Sequence, residues 1–581
     1  MGLSAAKNKR NYALLGILLI AFFVYLSSFT NAYTHLDDQV QVVHNPNIKQ
    51  LNINQLIDIF KSTSVGMYQP ISTLFYAFTF ALFGLNPTAF HLLSFLFHCI
   101  NILLVYSIFK KLNFKDFSAF FAAAIFALHP MQVESVAWVS AFSNLCFTAF
   151  FLMAFLQYLQ FFESKNKYTY ISCFILFTLA CFAKSAAIVF PVLLIATDWF
   201  FFQNRTWKSI IQKIPLLLVS LIFGLITLNS RESAGHLSDL SISFDLIDRF
   251  FLICHSILFY PIKFIFPYQL SAFYAYPEIS EGLLPITYYL SPLLLIAFAF
   301  VCWKYKIHQV IQFGVLFYLI GIALVLQLIP VGNQITTDRY IYLPMLGLLI
   351  ILGFFLNKVQ DKKVKILLLL VPLAFAFLSF ERSKIWQNDE TIWLDVLSKN
   401  PKVAQAHNNL GSYYMQAGKA QKALNHFNIA IREKPYYADA FSNRGSLYAQ
   451  LEKSDEAMRD FNQALKLRPH ADAYFNRANE LVKAKDLNSA IADYTASIKL
   501  AKSADVYTNR AFAYAQIGKI ELATKDLETA IKLDPTYGQA YFLFGMILNT
   551  QGQKQAACIK LKKAMTLNHT KAKQAWEQIC I

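Results

Sequence analysis

Residues 404–435 read AQAHNNLGSYYMQAGKAQKALNHFNIAIREKP, and residues 438–469 read ADAFSNRGSLYAQLEKSDEAMRDFNQALKLRP. Laid over one another they agree in the type of residue at position after position, and the pattern continues to the C-terminus with a period of 33 to 34 residues. Self-similarity at such a period marks a solenoid of stacked supersecondary units. Small residues recur at Gly411, Gly445, Ala478, Ala511 and Gly545, and again at Ala423, Ala457, Ala490, Ala523 and Ala557, where two helices must approach closely. Large apolar residues follow at Phe427, Phe461, Tyr494, Leu527 and Leu561, and Pro435, Pro469 and Pro535 end three of the units because proline cannot continue a helix. The spacing predicts five helix pairs from Ala404 to about residue 571, with Ala572 to Ile581 as the capping helix that a solenoid requires.

Upstream of the repeats the composition changes. Across the 581 residues 56% are hydrophobic and only 15% charged, against about 25% charged in a soluble domain. The apolar excess lies before residue 380, so a soluble enzyme throughout is excluded. The reading is all-α: a polytopic membrane domain over 1–380, a linker over 381–403 and the solenoid over 404–581. About eleven spans are expected, near residues 12–30, 89–109, 117–132, 141–162, 169–184, 186–202, 214–229, 287–303, 309–329, 340–357 and 364–380. The first is read as an uncleaved anchor.

The net charge of +17 raises the possibility of nucleic acid, but its distribution has another origin. A further run at 250–267, interrupted by Pro261, Lys263 and Pro267, reads as re-entrant or surface-lying. With it outside the count of spans, Lys7, Lys9, Arg10, Lys110, Lys111, Lys115, Lys165, Lys167, Arg205, Lys208, Lys213, Lys304, Lys306, Lys358, Lys362, Lys363 and Lys365 all fall on one side. Short cytoplasmic loops carry such an excess. The reading is therefore an N-terminus inside, repeats outside, and no nucleic-acid partner. Of eight cysteines, six sit in or beside apolar runs, and only Cys558 and Cys580 form a pair able to bridge in an oxidising compartment. No Gly-rich phosphate loop, nucleophile elbow or zinc-spaced cluster occurs.

The loops on the other side carry the chemistry. The first contains Asp37 and Asp38 followed by Asn45-Pro46; later ones carry Gln69-Pro70, His91, His129-Pro130 with Glu134, Lys184, and Asp338-Arg339-Tyr340. Paired carboxylates at the mouth of a membrane helix are solvated, bind a metal or act on a substrate. Arg339 is read as a phosphate clamp, the buried partner of Asp338 or a snorkelling cation, Lys184 as a phosphate contact or a snorkelling cation, and His129 as a positioning group or a helix-end residue with satisfied hydrogen bonds.

The repeats resemble the tetratricopeptide repeat. The order Asp37-Asp38, Asn45-Pro46, Leu82-Phe83-Gly84-Leu85-Asn86-Pro87 with His91, Ala127-Leu128-His129-Pro130 with Glu134 and Trp138, Ala183-Lys184, Phe273-Tyr274 with Pro277, and Asp338-Arg339-Tyr340-Ile341-Tyr342-Leu343-Pro344 resembles bacterial membrane proteins with C-terminal tetratricopeptide repeats. Those are similar to the transmembrane-and-tetratricopeptide-containing protein O-mannosyltransferases. Related bacterial sequences carry His-Pro at Gln69-Pro70 and a charged pair at Ser143-Asn144.

The resemblance implies a GT-C glycosyltransferase of a bacterial inner membrane, with its repeats on the periplasmic side. It would move a sugar from a polyprenyl phosphate to a protein hydroxyl. Asp37 or Asp38 would be the base, Lys184 and Arg339 would hold the departing phosphate, and His129, Glu134 and Asp338 would position the acceptor or a divalent cation. In the repeats Asn409, Asn443, Asn476 and Asn509 would face the concave groove, where an amide can both donate to and accept from a peptide backbone. The rival from another class is a catalytically silent membrane scaffold whose repeats assemble an envelope complex.

Overall fold

The computed structural model describes residues 2–203, 206–233, 244–279, 282–326 and 334–581. The side chains of residues 2–9, Arg205 of the basic cluster, and the 327–329 end of one expected span lie outside what is described. The chain divides into two compact units, Met1–Lys399 and Asn400–Ile581.

The first unit is helical apart from one short antiparallel pair, β1 (Tyr274–Ala275) with β2 (Gln334–Thr336). Its helices are α1 (Gly2–Tyr25), α2 (Ile53–Lys61), α3 (Pro70–Phe83), α4 (Pro87–Lys111), α5 (Asp116–Leu128), α6 (Val133–Ala137), α7 (Phe142–Ser164), α8 (Lys167–Ala183) and α9 (Phe190–Phe200). There follow α10 (Trp207–Ile211), α11 (Ile214–Ser233), α12 (Leu246–Ile265), α13 (Ile286–Lys304), α14 (Gln309–Ile322), α15 (Met345–Leu356), α16 (Lys362–Leu368), α17 (Leu370–Ile385) and α18 (Asp389–Lys399).

Among the described residues six helices are long and apolar enough to cross a membrane, or seven if the bent pair Asp116–Leu128 and Pro130–Ala137 is one span. Five of the eleven expected runs meet that test at full length besides the first, the run at 117–132 is the bent pair, and the rest are shorter apolar helices of 10 to 17 residues. A further short apolar helix, α3, was not expected. The run at 250–267 lies on α12, a single 20-residue helix with Pro261 inside it, which is not among the six. Residues 381–399, expected as part of a linker, are mostly helical and packed into this unit, with Trp386, Ile392 and Trp393 buried.

Corners explain several of the quoted motifs. Gly84, at φ +61°, ends α3 in the left-handed region; the Asn86 side chain then accepts from Thr88 N, with Pro87 at the first position of α4. Asn45-Pro46 and His129-Pro130 repeat the device, Asn45 accepting from Asn47 N and His129 Nδ1 from Met131 N. At one end of the unit Lys111 pairs with Glu163 at 2.6 Å, Lys115 donates to Asn357 O at 2.7 Å, and Lys110 pairs with Asp116 at 2.6 Å. Three of the basic loops are thereby gathered together.

The second unit is the α-solenoid: helix pairs Ala404–Gln416 with Ala420–Glu433, Ala438–Gln450 with Ser454–Leu467, Ala471–Lys483 with Leu487–Leu500, Ala504–Gln516 with Ile520–Leu533, and Gly538–Thr550 with Lys554–Thr566. The helix Ala572–Cys580 closes it, tied back by a Cys558–Cys580 disulfide. The small positions do what their size requires. A Cβ on Gly445 would come within 2.8 Å of the Phe461 ring, and Ala423, Ala457, Ala490, Ala523 and Ala557 are fully buried.

Candidate functional site

The segment 133–144, VESVAWVSAFSN, is buried at every residue and is the hub on which the other polar loops converge. It enters as α6, breaks at Trp138, and starts α7 at Phe142. Its backbone turns supply Val139 O, which accepts from Tyr76 OH at 2.8 Å and so ties α3 to the hub.

Asp38 is anchored there. One carboxylate oxygen accepts from Thr34 N at 2.8 Å and Thr34 Oγ1 at 2.9 Å, the other from Ser140 N at 2.9 Å and Ser140 Oγ at 2.5 Å. It is 1% exposed. Burial pushes its pKa up to about 6, against the opposing pull of those four bonds. A carboxylate with both oxygens committed is a clamp holding the first loop to the hub. Its neighbour Asp37 is half-buried, and its charge acts on both Lys184 and Arg339. The dyad is thus split: one member holds the loop to the hub, and the charge of the other acts on the cations.

Arg339 pairs with Glu134, not with Asp338. Its guanidinium Nη1 donates to Glu134 Oε1, its backbone N to Glu134 Oε2 at 2.9 Å, and its plane lies 5.1 Å from the Trp138 ring and 5.2 Å from Tyr340. Trp138 in turn stacks on Trp386 at 5.7 Å. This fixes the fork in orientation while Nε and Nη2 make no hydrogen bond among the described residues. Lys184 follows α8, and its Nζ donates to Asn144 Oδ1 at 2.6 Å, so the second residue of the Ser143-Asn144 pair is a partner of the expected phosphate contact. Ser72 Oγ donates to Ala183 O at 2.9 Å, bringing α3 beside Lys184. The charges of Arg339, Arg231, Asp37 and Glu134 all act on Lys184. Arg231, on the last turn of α11, was not singled out in the sequence.

The other two expected positioning residues have different employment. His129 is fully buried, with Nε2 at 3.0 Å from Phe264 O, Nδ1 capping Met131 N, and its ring stacked on Phe264 at 5.3 Å. It is the helix-end residue of the two readings. Asp338, fully buried, pairs with Arg382 Nη2 at 3.1 Å and accepts from Tyr274 OH at 2.8 Å, while burial pushes its pKa up to about 7. Arg382 is the cation that sequence reasoning missed here; it also donates to Leu270 O at 2.7 Å. Among the described residues no three His, Cys, Asp or Glu side chains are grouped so as to hold a metal.

In the repeats the recurrent asparagines bridge successive units. Asn443 Nδ2 donates to Asn408 Oδ1 at 3.0 Å and Ser412 Oγ at 3.3 Å, Asn476 Nδ2 to Ser446 Oγ at 2.9 Å, and Asn509 Nδ2 to Asn479 Oδ1 at 3.0 Å. Asn409 accepts from Gln405 Nε2 and Asn408 Nδ2, both at 3.3 Å. The residue after three of them forms a second ladder. Arg444, Arg477 and Arg510 each make a two-pronged ion pair, at 2.7 to 2.8 Å, with Asp460, Asp493 and Asp526 on the following helix.

These features define a class, a helical membrane protein whose buried ionic site is joined in one chain to five tetratricopeptide repeats. Residues 69–228 match the family model described as Dolichyl-phosphate-mannose-protein mannosyltransferase, and 391–438, 438–470, 471–503 and 504–537 match tetratricopeptide repeats. The chain is similar to a protein O-mannosyl-transferase of Caenorhabditis elegans, 23% identical over 72% of this chain and 62% of that one. It is similar also to Protein O-mannosyl-transferase TMTC1 of Homo sapiens, 23% identical over 70% of this chain and 53% of that one. Protein O-mannosyl-transferase TMTC4 of Homo sapiens matches at 24% over 63% of this chain and 58% of that one. The chain therefore spans between about half and three fifths of the length of these relatives.

Proposed function

We propose that this chain is a membrane glycosyltransferase that moves a sugar from a polyprenyl-phosphate donor to a protein hydroxyl. The observation that carries the reading is the convergence of one carboxylate, Asp37, with Lys184, Arg231 and Arg339 around the buried hub. A lipid-phosphate leaving group is a weak base, so the site needs a proton acceptor and cations rather than a strong acid. Asp37 takes the proton of the acceptor hydroxyl as its oxygen attacks the anomeric carbon. The bond from that carbon to the phosphate oxygen breaks with inversion, and the electron pair leaves on the lipid phosphate. Lys184 meets that phosphate as a point charge and Arg339 with the uncommitted edge of its fork. Asp38 and Glu134 act as positioning residues, the first for the loop and the second for the fork.

The repeats bind the acceptor protein or a partner. We place the reacting loops and the repeats on the outer, periplasmic side of a bacterial inner membrane. Two observations support this: the basic loops are gathered at one end of the unit, and Cys558 and Cys580 are paired, as an oxidising compartment permits. The test is purification of the full chain and incubation with a panel of polyprenyl-phosphate sugars. Donor turnover that disappears in Asp37→Asn is the expected outcome. No turnover of any donor, together with an unaltered cellular phenotype for Asp37→Asn, would leave the chain a scaffold.

A further inference from the structure

Beside the clamped loop a cavity of about 370 Å³ opens between residues 39–47 and 62–73. That is near the small end of ligand pockets, which run from roughly 300 to 1,000 Å³, and it suits one ring-sized ligand. The wall contains no Asp, Glu, Lys or Arg; Gln39, Asn47, Ser64 and Gln69 give it amides and a hydroxyl, and Val40 and Met67 give it apolar surface. With His44 its one titratable side chain, a wall of this kind is built for a neutral, hydrogen-bonding ligand rather than a phosphate, a carboxylate or an amine.

Two of its polar atoms are unspent. Gln69 is 3% exposed and its Nε2 donates to Gln41 Oε1 at 3.1 Å, which leaves Gln69 Oε1 buried without a hydrogen bond among the described residues; Ser64 Oγ is in the same condition. Buried polar groups are almost always paired, so each such exception asks for a partner. By contrast Asn47 is already held, its Nδ2 donating to Ser62 Oγ at 2.9 Å and its Oδ1 accepting from Gln55. Ser64 is presented by a tight turn in which Val65 has φ +51° and Gly66 φ +66°, closed by a bond of 2.9 Å in each direction between Ser64 and Met67. A β-branched residue in the left-handed region is strained, and such strain collects at ligand sites.

The cavity is also coupled to the candidate chemistry. Gln41 N donates to Asp37 O at 2.8 Å, and α3, which carries Gln69 just before it and lines the cavity through Thr73, touches the residue before Lys184 through Ser72.

We propose that this cavity holds a single neutral pyranose. Gln69 Oε1 accepts from one sugar hydroxyl, Ser64 Oγ exchanges a hydrogen bond with another, and Val40 and Met67 lie against the C–H face of the ring. The inference rests on the transferase reading for its biological sense, since the ring belongs either to the lipid-linked donor or to a sugar already on the acceptor; its test does not depend on turnover.

The full chain in detergent is titrated with a panel of methyl hexopyranosides and binding is read by saturation-transfer NMR. Thr63→Trp fills the mouth from an exposed position that belongs to neither network, and Gln69→Leu removes the unspent acceptor. Each should weaken pyranoside binding at least ten-fold, with Thr63→Trp melting as the wild type does. A polyprenyl-phosphate sugar that competes with the pyranoside identifies the donor ring; binding of both together identifies an acceptor-borne ring. Asp37→Asn should keep pyranoside binding while losing turnover. Absence of pyranoside binding to the wild type, or undiminished binding in Thr63→Trp, overturns the inference and leaves the transferase reading standing if donor turnover persists.

Discussion

Neutralising the two halves of the acidic dyad separately should give opposite phenotypes. In Asp38→Asn an amide NH₂ must face either the Thr34 pair or the Ser140 pair of donors. A hydroxyl can rotate to accept from it, but the backbone N–H beside that hydroxyl cannot, and it is left buried without an acceptor. Stranding one such group costs about 1–3 kcal/mol, and the remaining bonds fall from charge-assisted strength to ordinary strength. The total loss is of order 2–4 kcal/mol. Four free cysteines, Cys146, Cys173, Cys181 and Cys254, are buried in the same unit, so a thiol-reactive fluorophore reports its thermal unfolding directly. The Asp38→Asn melt should move down by several degrees. Asp37→Asn should lose roughly 10²- to 10⁴-fold in turnover, the usual worth of a general base. The pH dependence adds a check. Because burial raises the Asp38 pKa to about 6, the folded state holds that proton more tightly than the unfolded chain does. Its contribution to stability therefore falls as pH rises from about 4 to about 6 and is flat above. Asp38→Asn should lack this slope. A variant Asp38→Asn that melts normally but is inactive, beside an active Asp37→Asn, would refute the division of roles.

Arg339→Ala strands Glu134, which is fully buried, and should cost about 3–5 kcal/mol in the same melt; the double variant with Glu134→Ala should recover part of that loss. Arg339→Lys keeps the charge but loses the planar fork stacked on Trp138, so donor turnover should stay more than ten-fold below wild type. Lys184→Met should raise the KM for a polyprenyl-phosphate sugar more than it lowers kcat, read in steady-state kinetics. Arg477→Ala removes both prongs to Asp493 and a bond of 2.7 Å to Asn462, and should increase hydrogen exchange in 471–500 by an amount equivalent to about 1–3 kcal/mol. Reduction of Cys558–Cys580 should free the terminal helix Ala572–Cys580, seen as faster exchange confined to residues 554–580.

The solenoid was legible because size is a local property: a residue recurring as Gly or Ala every 33 to 34 positions can only mean a contact that excludes side chains, and Gly445 against Phe461 is such a contact. Apolar runs were legible for the same kind of reason. Partner choice was not. Adjacency offered Asp338 as one mate for Arg339, yet the fold sends Asp338 to Arg382, 44 residues on, and Arg339 to Glu134, 205 residues back. Nothing in one dimension sets those distances; they follow from the last turns of α17 meeting the turn that carries Asp338, and from the hub meeting Arg339. The arginine ladder was hidden differently. Arg444, Arg477 and Arg510 directly follow asparagines already noticed as a repeat, and the recurring Asp460, Asp493 and Asp526 lie 16 residues further on, so the signal was present as a paired period.

The cations offer the most general lesson. If basic residues mark the inner side of a membrane domain, then every Lys or Arg on the opposite loops resists the topological trend and needs a reason to be there. Lys184, Arg231, Arg339 and Arg382 are four of those residues, and three of them meet a charge from a distant part of the chain: Lys184 the field of Asp37 and Glu134, Arg339 the Glu134 carboxylate, and Arg382 Asp338. Two of the four are neutralised by buried carboxylates and hold the fold. Among the described residues the Lys184 ammonium donates to an amide, Asn144, and Arg339 Nε and Nη2 make no hydrogen bond. The Lys184 ammonium and the remaining edge of the Arg339 fork lie within the field of Asp37, where an anionic lipid phosphate would meet them.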